Sequence, residues 1–419
     1  MPDLKNKTLF LLFFTEMWAR FSYYGMRALL ILYLVKALHY SDRTAGLIYG
    51  SYTGLVYLTP LFGGYLADKY LGYSKSIILG GILMICGHLS LAMDTIPTFF
   101  LGLSLLVLGN GFFKPNISTL LGYQYRHVPE KKDSAFTIFY MGINLGAAIG
   151  PILCGYLGET FGWHYGFGVA AFGMLLGLLQ FMYGLSSLEE PPTLSVKSDT
   201  EKLPLQEKEK KHIIVICILA FFSIFFWFAY EQAGSSISLF IDRHIDRNVL
   251  GYNIPASIFQ SINPILILLL APLFSYTWNS LRTQNKEPDT LSKLSLGMLL
   301  LGLGFVVLVY GASELNPSTT KVNIIWVLLM IFLHTLGELS FSPVGLSMVS
   351  KMAPIQYASL LMGIWFLSSA IAHYSAGILS GYMKEFGSPS TFFTIFIISS
   401  FFMTGLIYLL SPGLRKMMK

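Results

Sequence analysis

The stretch that decides the fold is "TEMWARFSYYGMRA", residues 15–28, set inside a run of Phe, Leu and Ile long enough to cross a bilayer. It holds three ionised side chains, Glu16, Arg20 and Arg27, where each costs about 2.5–3.5 kcal/mol on insertion scales. Their spacing is regular. Glu16, Arg20, Tyr24 and Arg27 follow steps of four, four and three, so all four fall on one face of a helix. That face is expected to line a wet cavity.

Working outward, apolar runs of about 20 residues recur at 8–37, 44–66, 74–93, 98–122, 135–157, 163–185, 212–241, 252–279, 293–312, 322–350, 356–380 and 388–411. Of the 419 residues 54% are hydrophobic and 12% charged, against roughly 25% charged in soluble domains. The reading is an all-α membrane protein of twelve transmembrane helices. An even count puts both termini on one side. Lys5, Lys7, Lys69, Lys75, Arg126, Lys131, Lys132, Arg282, Lys286, Lys293, Lys351 and Arg415 fall on alternate connections, which makes that side cytoplasmic. The net charge of +6 records this topology and makes no case for nucleic acid. The first span is too long for a signal peptide, carries internal charges and lacks a small-residue cleavage site, so it is expected to stay in the mature chain.

Cys86, Cys154 and Cys217 are scattered singly and offer no disulfide framework or metal spacing. The sequon at Asn116 lies within a span and reads as a chance match. With no HExxH, GxSxG or phosphate-binding glycine loop, the chain does not read as an enzyme.

The charged, proline-bearing segment "EEPPTLSVKSDTEKLPLQEKEKK", 189–211, reads as a cytoplasmic linker between a bundle over 1–188 and a bundle over 212–419. A repeat supports the division. "LGNGFFKPN" from Leu108 aligns with "LGELSFSPV" from Leu336, matching Gly109 to Gly337 and Pro115 to Pro343. Asn110 then faces Glu338, and Lys114 faces Ser342. Proline or glycine interruptions at corresponding places in two halves point to a transporter's substrate site.

Away from loops and span ends, the chain keeps three acids, Glu16, Glu231 and Glu338, and three bases, Arg20, Arg27 and Lys114. Such groups face water or one another. Charges of both signs suit a small zwitterion: a carboxylate for Arg27 and Lys114, an ammonium for Glu338. Tyr23, Tyr24, Tyr57, Trp227, Tyr230 and Trp365 are candidate walls, with packing an equally good reading for any one of them. His88, His334 and His373 also lie in spans; His334, one turn from Glu338, is a candidate relay, though a lone membrane histidine is more often a packing group.

At these residues a resemblance becomes specific. "FFTEMWARFSYYG" resembles the ExxERFxYYG signature of the proton-dependent oligopeptide transporters, and "FYMGINLGA" in span five resembles that family's second signature. The likeness continues through "GGYLADKYLG", "GFFKPNIS", "FAYEQAGSSISLF", "FQSINP" and "GELSFSPVGLS". It implies major facilitator architecture, two six-helix bundles, and import of di- and tripeptides with protons across the cell membrane by a monomer that needs no cofactor beyond the coupling proton. By the same resemblance Arg27 and Lys114 hold the peptide carboxylate, and Glu338 with Asn263 its amino terminus. Tyr24, Tyr57, Asn144, Ser342 and Trp365 line the pocket. Glu231 is a proton site pairing with Arg27, and Glu16 and Arg20 take part in coupling.

Two departures from the family pattern bear on coupling. Many bacterial members carry two extra helices between the halves, for which this linker is too short. The signature's second glutamate is Ala19 here. A fourth acid would leave one carboxylate without a cationic partner and inclined to bind a proton; with Ala19 the signs balance, and weakened coupling is expected. A facilitative carrier of modified peptides or of another small zwitterion or anion stays open as an alternative. So does a non-transporting receptor, less favoured.

Overall fold

In the computed structural model, which describes residues 2–191, 205–316, 320–354 and 357–418, nearly the whole chain is helical. Residues 192–204 of the expected linker lie outside the described residues. The helices are α1 (Pro2–Lys36), α2 (Asp42–Leu66), α3 (Tyr73–Leu91), α4 (Ile96–Gln124), α5 (Pro129–Thr160), α6 (Trp163–Gly184), α7 (Glu207–Tyr230), α8 (Ser236–His244), α9 (Ile262–Thr283), α10 (Thr290–Ser313), α11 (Ile325–Met352), α12 (Ala358–Ser380) and α13 (Pro389–Met418).

Among the described residues, ten helical stretches are long and apolar enough to cross a membrane: α3 to α6, α7 with α8 as one stretch, and α9 to α13. The 35-residue α1 and 25-residue α2 have the length but are diluted, α1 by its charges and α2 by tyrosine and glycine. Together these make the twelve long helices that the hydrophobic runs imply.

Two details depart from a purely helical reading. Short strands β1 (Ile245–Asp246) and β4 (Val322–Asn323) pair in parallel, while β2 (Asn248–Val249) and β3 (Tyr252–Asn253) form a hairpin. Its turn is Leu250–Gly251, both with positive φ (52° and 87°), so glycine takes the second place at no steric penalty. The second departure is in the seventh span. Apolar throughout, it reads as one helix, yet α7 stops at Tyr230 and a 3₁₀ turn, Glu231–Gly234, precedes α8. Gly234, Ser235 and Ser236 follow one another there; small and hydroxyl-bearing residues are poor helix formers because they offer the backbone other partners.

The residues sort into two compact units. The first takes Met1–His39, Leu55–Ser198 and Ile254–Leu268, and the second Tyr40–Gly54, Asp199–Asn253 and Leu269–Lys419. Each unit therefore includes a stretch from the other half of the sequence. In the first, α1 packs on α5 and α6, and α3 on α4 and α6. Gly146 of α5 makes the α1 contact possible: a Cβ there would lie 2.8 Å from the Phe21 amide nitrogen. Without side chains, helix backbones approach closely, and van der Waals contact drives association in lipid.

In the second unit α10 packs on α11 and α13, and α7 on α12 and α13. The repeat found in the sequence is physically expressed. A Cβ on Gly80 of α3 would lie 2.7 Å from the Gly109 carbonyl oxygen and 3.0 Å from Phe113 Cβ; one on Gly297 of α10 would lie 2.8 Å from the Gly337 oxygen and 2.9 Å from Phe341 Cβ. One helix pair thus occurs twice. Two turns away Leu106 closes over Gly87, and His334, at the corresponding place, closes over Gly304.

Candidate functional site

In the first unit, the charges begin on α1. Arg20 Nε donates to Glu16 Oε1 at 2.6 Å, one turn apart, with Glu16 1% and Arg20 5% exposed. The pair gives Arg20 a partner on its own helix, while Glu16 Oε2 meets no donor among the described residues. Ala19, buried beside them, lends only its carbonyl, which accepts from Ser22 Oγ at 3.1 Å. Arg27 and Tyr24 lie further along the same face, Arg27 buried and Tyr24 half-buried.

Lys114 of α4 places Nζ 4.1 Å from the centroid of the Tyr57 ring. A cation over an aromatic face is attracted by the ring quadrupole. Asn110, the counterpart of Glu338, is buried and donates to the Leu106 carbonyl at 3.0 Å. Asn144 of α5 likewise turns to its own helix, donating to the Tyr140 carbonyl at 2.9 Å. Asn263 lies in the first turn of α9.

In the second unit the sequence builds a seam between α7 and α11. Phe226 and Phe341 stack, centroids 4.0 Å apart and planes 2° from parallel, which fixes the two helices face to face. One turn on, Tyr230 donates its hydroxyl to Glu338 Oε2 at 2.5 Å. The acid that replaces Asn110 is thus held by a phenol. Ser342 follows one turn after Glu338 on α11, and Trp365 of α12 is buried with its ring against Gly345, where a Cβ would leave it no room.

A second seam joins α7 and its 3₁₀ turn to α12. Ser223 and Ser368 hydroxyls lie 2.7 Å apart. Gln232 donates to the carbonyls of Phe228 at 3.3 Å and Ala376 at 3.2 Å. Between these rungs Glu231 Oε1 comes within 3.0 Å of His373 Nε2, both side chains buried. The break after Tyr230 turns Glu231 off the α7 axis and onto α12.

The structure therefore brings together Glu16 with Arg20, Lys114 with Tyr57, Glu338 with Tyr230 and Glu231 with His373. The last partner is absent from a count of three acids against three bases, because an isolated histidine in an apolar span carries no spacing signal. His334 takes a packing position instead, its ring 4.8 Å from Phe305 and over Gly304. Asn116, the apparent sequon, is buried and donates to the Phe112 carbonyl at 2.7 Å. Among the described residues no three His, Cys, Asp or Glu side chains cluster as a metal site would need.

Outside these seams, Asp42 at the start of α2 receives both Arg243 guanidinium nitrogens, at 2.7 and 2.6 Å, and Lys384 Nζ at 3.2 Å. Burial opposes its ionisation, but the bonds from Arg243 and then Lys384 prevail and hold its carboxyl below the usual range. Beyond this end α2 lies against α12, with Gly46 and Gly50 facing Gly377. At the other shared stretch, Glu159 of α5 accepts from the Ser257 amide at 2.9 Å and the Ser257 hydroxyl at 2.6 Å.

Comparison with known proteins places the chain among transporters. The model of the POT family matches residues 74–195 and 185–395. A peptide transporter, YePEPT, of Yersinia enterocolitica is 33% identical, the match covering 97% of this chain and 94% of the relative. A di-/tripeptide transporter of Lactococcus lactis is 31% identical over 86% of each. A crystal structure of a peptide transporter POT in complex with sulfate superposes with a TM-score of 0.90 at 31% identity, covering 99% of this chain and 96% of that one.

Proposed function

The chain belongs to the POT family and is a multi-pass membrane protein; from that premise we propose that it imports di- and tripeptides by alternating access, coupled to protons. The observation that carries the reading is the half-buried acid Glu338 at the repeat position of neutral Asn110, in a chain whose relatives are described as peptide and di-/tripeptide transporters. A free ammonium needs such an acid, and a purely anionic cargo would be repelled by it.

In this reading Arg27 and Lys114 meet the peptide carboxylate, and Glu338 with Asn263 its amino terminus. Tyr24, Tyr57, Asn144, Ser342 and Trp365 form the walls. Before cargo arrives, Arg27 pairs with Glu231 and Lys114 with Glu338 as alternating latches. Removing one partner of a buried pair costs about 3–5 kcal/mol, unless a ligand charge replaces it, and a zwitterion replaces both. The resting contacts of Glu338 with Tyr230 and of Lys114 with Tyr57 supply each latch with an alternative partner, which lowers the barrier to parting.

Protons enter through Glu16 with Arg20 and through Glu231. Ala19 weakens the first route, so exchange of peptide down a gradient persists while acid stimulation is reduced. The basic connections place both termini in the cytoplasm of a cell whose plasma or inner membrane holds the protein, working as a monomer of two six-helix bundles, 1–188 and 212–419, with 189–211 as the linker.

The test is uptake of labelled dialanine into liposomes holding the purified protein, with and without an inward proton gradient, with acetylated dialanine as competitor. Uptake that dialanine inhibits and the acetylated peptide does not is the expected result. Equal inhibition by both removes the zwitterion reading, and absence of flux removes transport.

A further inference from the structure

The environment of His373 settles where its protons must be. Its Nδ1 lies 2.8 Å from the carbonyl oxygen of Ser369, one turn back on α12. A carbonyl only accepts, so Nδ1 carries a hydrogen. The opposite nitrogen, Nε2, lies 3.0 Å from Glu231 Oε1. With Nδ1 protonated, a neutral ring presents a bare lone pair at Nε2, and an ionised carboxylate presents another at Oε1. Two bare acceptors at this separation, both buried, repel. One proton between them removes the conflict, as a carboxylic acid donating to Nε2 or as an imidazolium donating to the carboxylate.

We propose that Glu231 and His373 hold the coupling proton jointly, with His373 as a second proton-binding residue of the transport cycle and the Ser369 carbonyl fixing its tautomer. The inference rests on the peptide-transport reading and deepens it. The proton enters from the side where Glu231 is accessible and bridges Oε1 and Nε2. Its release to water on the other side restores the two facing lone pairs, which drives the 3₁₀ turn at Glu231 away from α12. Proton loss thus becomes movement at the break in the seventh span.

Other ionisable groups lie on the elements packed against the pair. From α7, Tyr230 donates to Glu338 of α11. His334 of α11 packs on Phe305 and Gly304. From α8, Arg243 holds Asp42 and Asp242 accepts from Arg247 at 3.0 Å, while His244 stands at the far end of that helix. The first half of α2 brings Asp42, Arg43 over the Tyr382 ring, and the phenols Tyr49 and Tyr52, and α12 itself carries Tyr374. Arg27, assigned to Glu231 in the latch, keeps a fixed charge and does not titrate in this range. His373 is the group whose ring nitrogen, Nε2, faces Glu231 Oε1 directly, at 3.0 Å.

Two measurements test the pair, and a third separates it from the transport reading. Solid-state NMR of the reconstituted protein labelled with 15N-histidine, with H373Q identifying the resonance, is expected to show His373 protonated at Nδ1 at every pH between 5 and 8. A neutral ring protonated only at Nε2 overturns the proposal, and this readout needs no active variant. Gradient-driven dialanine uptake, followed against external pH, is expected to shift its midpoint acidward by roughly one pH unit in H373Q and H373N, since the remaining acid binds the proton alone. An unchanged midpoint in both variants overturns it. Counterflow of dialanine by the native protein at equal pH on both sides reads peptide transport by itself: its absence sinks the proposed function, while the NMR result still decides the pair.

Discussion

At the scale of single residues, Glu338 and Ala19 carry the chemistry in opposite senses. Glu338 is a half-buried acid held by a phenol, and on the proposed reading a peptide amine that displaces Tyr230 exchanges a neutral donor for a charged one. Hydrogen bonds to charged groups are worth about 1.5–3 kcal/mol, so Glu338→Gln is expected to weaken dialanine binding roughly 10–100-fold while leaving acetylated dialanine little changed; competition in the liposome assay reads both. Ala19 lies buried beside the Glu16–Arg20 pair. Restoring the signature with Ala19→Glu adds an acid without a matching base. The pH optimum of driven uptake is expected to move alkaline by roughly one unit, a typical environmental shift, with no gain in counterflow. Identical pH profiles for native and A19E remove the argument from charge balance. The sequence revealed the charged residues because ions are rare in hydrocarbon and stand out singly. It hid Tyr230 and His373 as partners because a tyrosine or histidine among apolar residues is as easily a packing group, and only the approach of α7 to α11 and α12 distinguishes the two.

At the scale of helices, the duplicated pair α3–α4 and α10–α11 makes a symmetric prediction. Gly80→Ala and Gly297→Ala each push a methyl against a neighbouring backbone and are expected to destabilise by about 1–3 kcal/mol, read as matched drops in melting temperature in detergent. Unequal drops, one large and one absent, argue that the two contacts differ despite the shared pattern. The end of α2 makes a prediction with a sign in pH. Asp42 has a folded pKa below its unfolded value of about 3.9, so its contribution is fully present above that value and is lost as pH falls through the lower folded one. Asp42→Asn is expected to lose about 1–3 kcal/mol at pH 7, and the gap to the native protein narrows as pH falls below about 4. A gap that does not change as pH falls excludes this ion pair as its source. Helix positions were legible from apolar runs alone. The stop at Tyr230 was not, since Glu231–Gly234 interrupts a segment whose hydrophobicity never falters, and short hydrophilic strands such as β2 and β3 leave no apolar trace.

At the scale of the molecule, the proposed alternating access predicts that helix ends now fastened come apart. Asp42 and Arg243 come from different halves of the sequence, and so do Glu159 and Ser257. In a chain with Cys86 and Cys217 changed to serine, Asp42→Cys with Arg243→Cys, joined by a cleavable bifunctional reagent, is expected to abolish dialanine uptake until the linker is cut. Uptake that continues through the intact linkage means that these ends need not separate. The family signatures made the architecture legible because they combine glycine contacts and charges at fixed helical spacing. The long-range fastenings were illegible because Asp42, Arg243 and Lys384 read individually as ordinary loop charges. The interruption after Tyr230 has one more mechanical consequence. A continuous rod would pass a twist from one face of the membrane straight to the other, whereas a crossing cut at Glu231 behaves as an articulated lever. Torque on Ser236–His244 is absorbed at the joint, and whatever stiffens or loosens that joint sets how much rotation reaches Glu207–Tyr230.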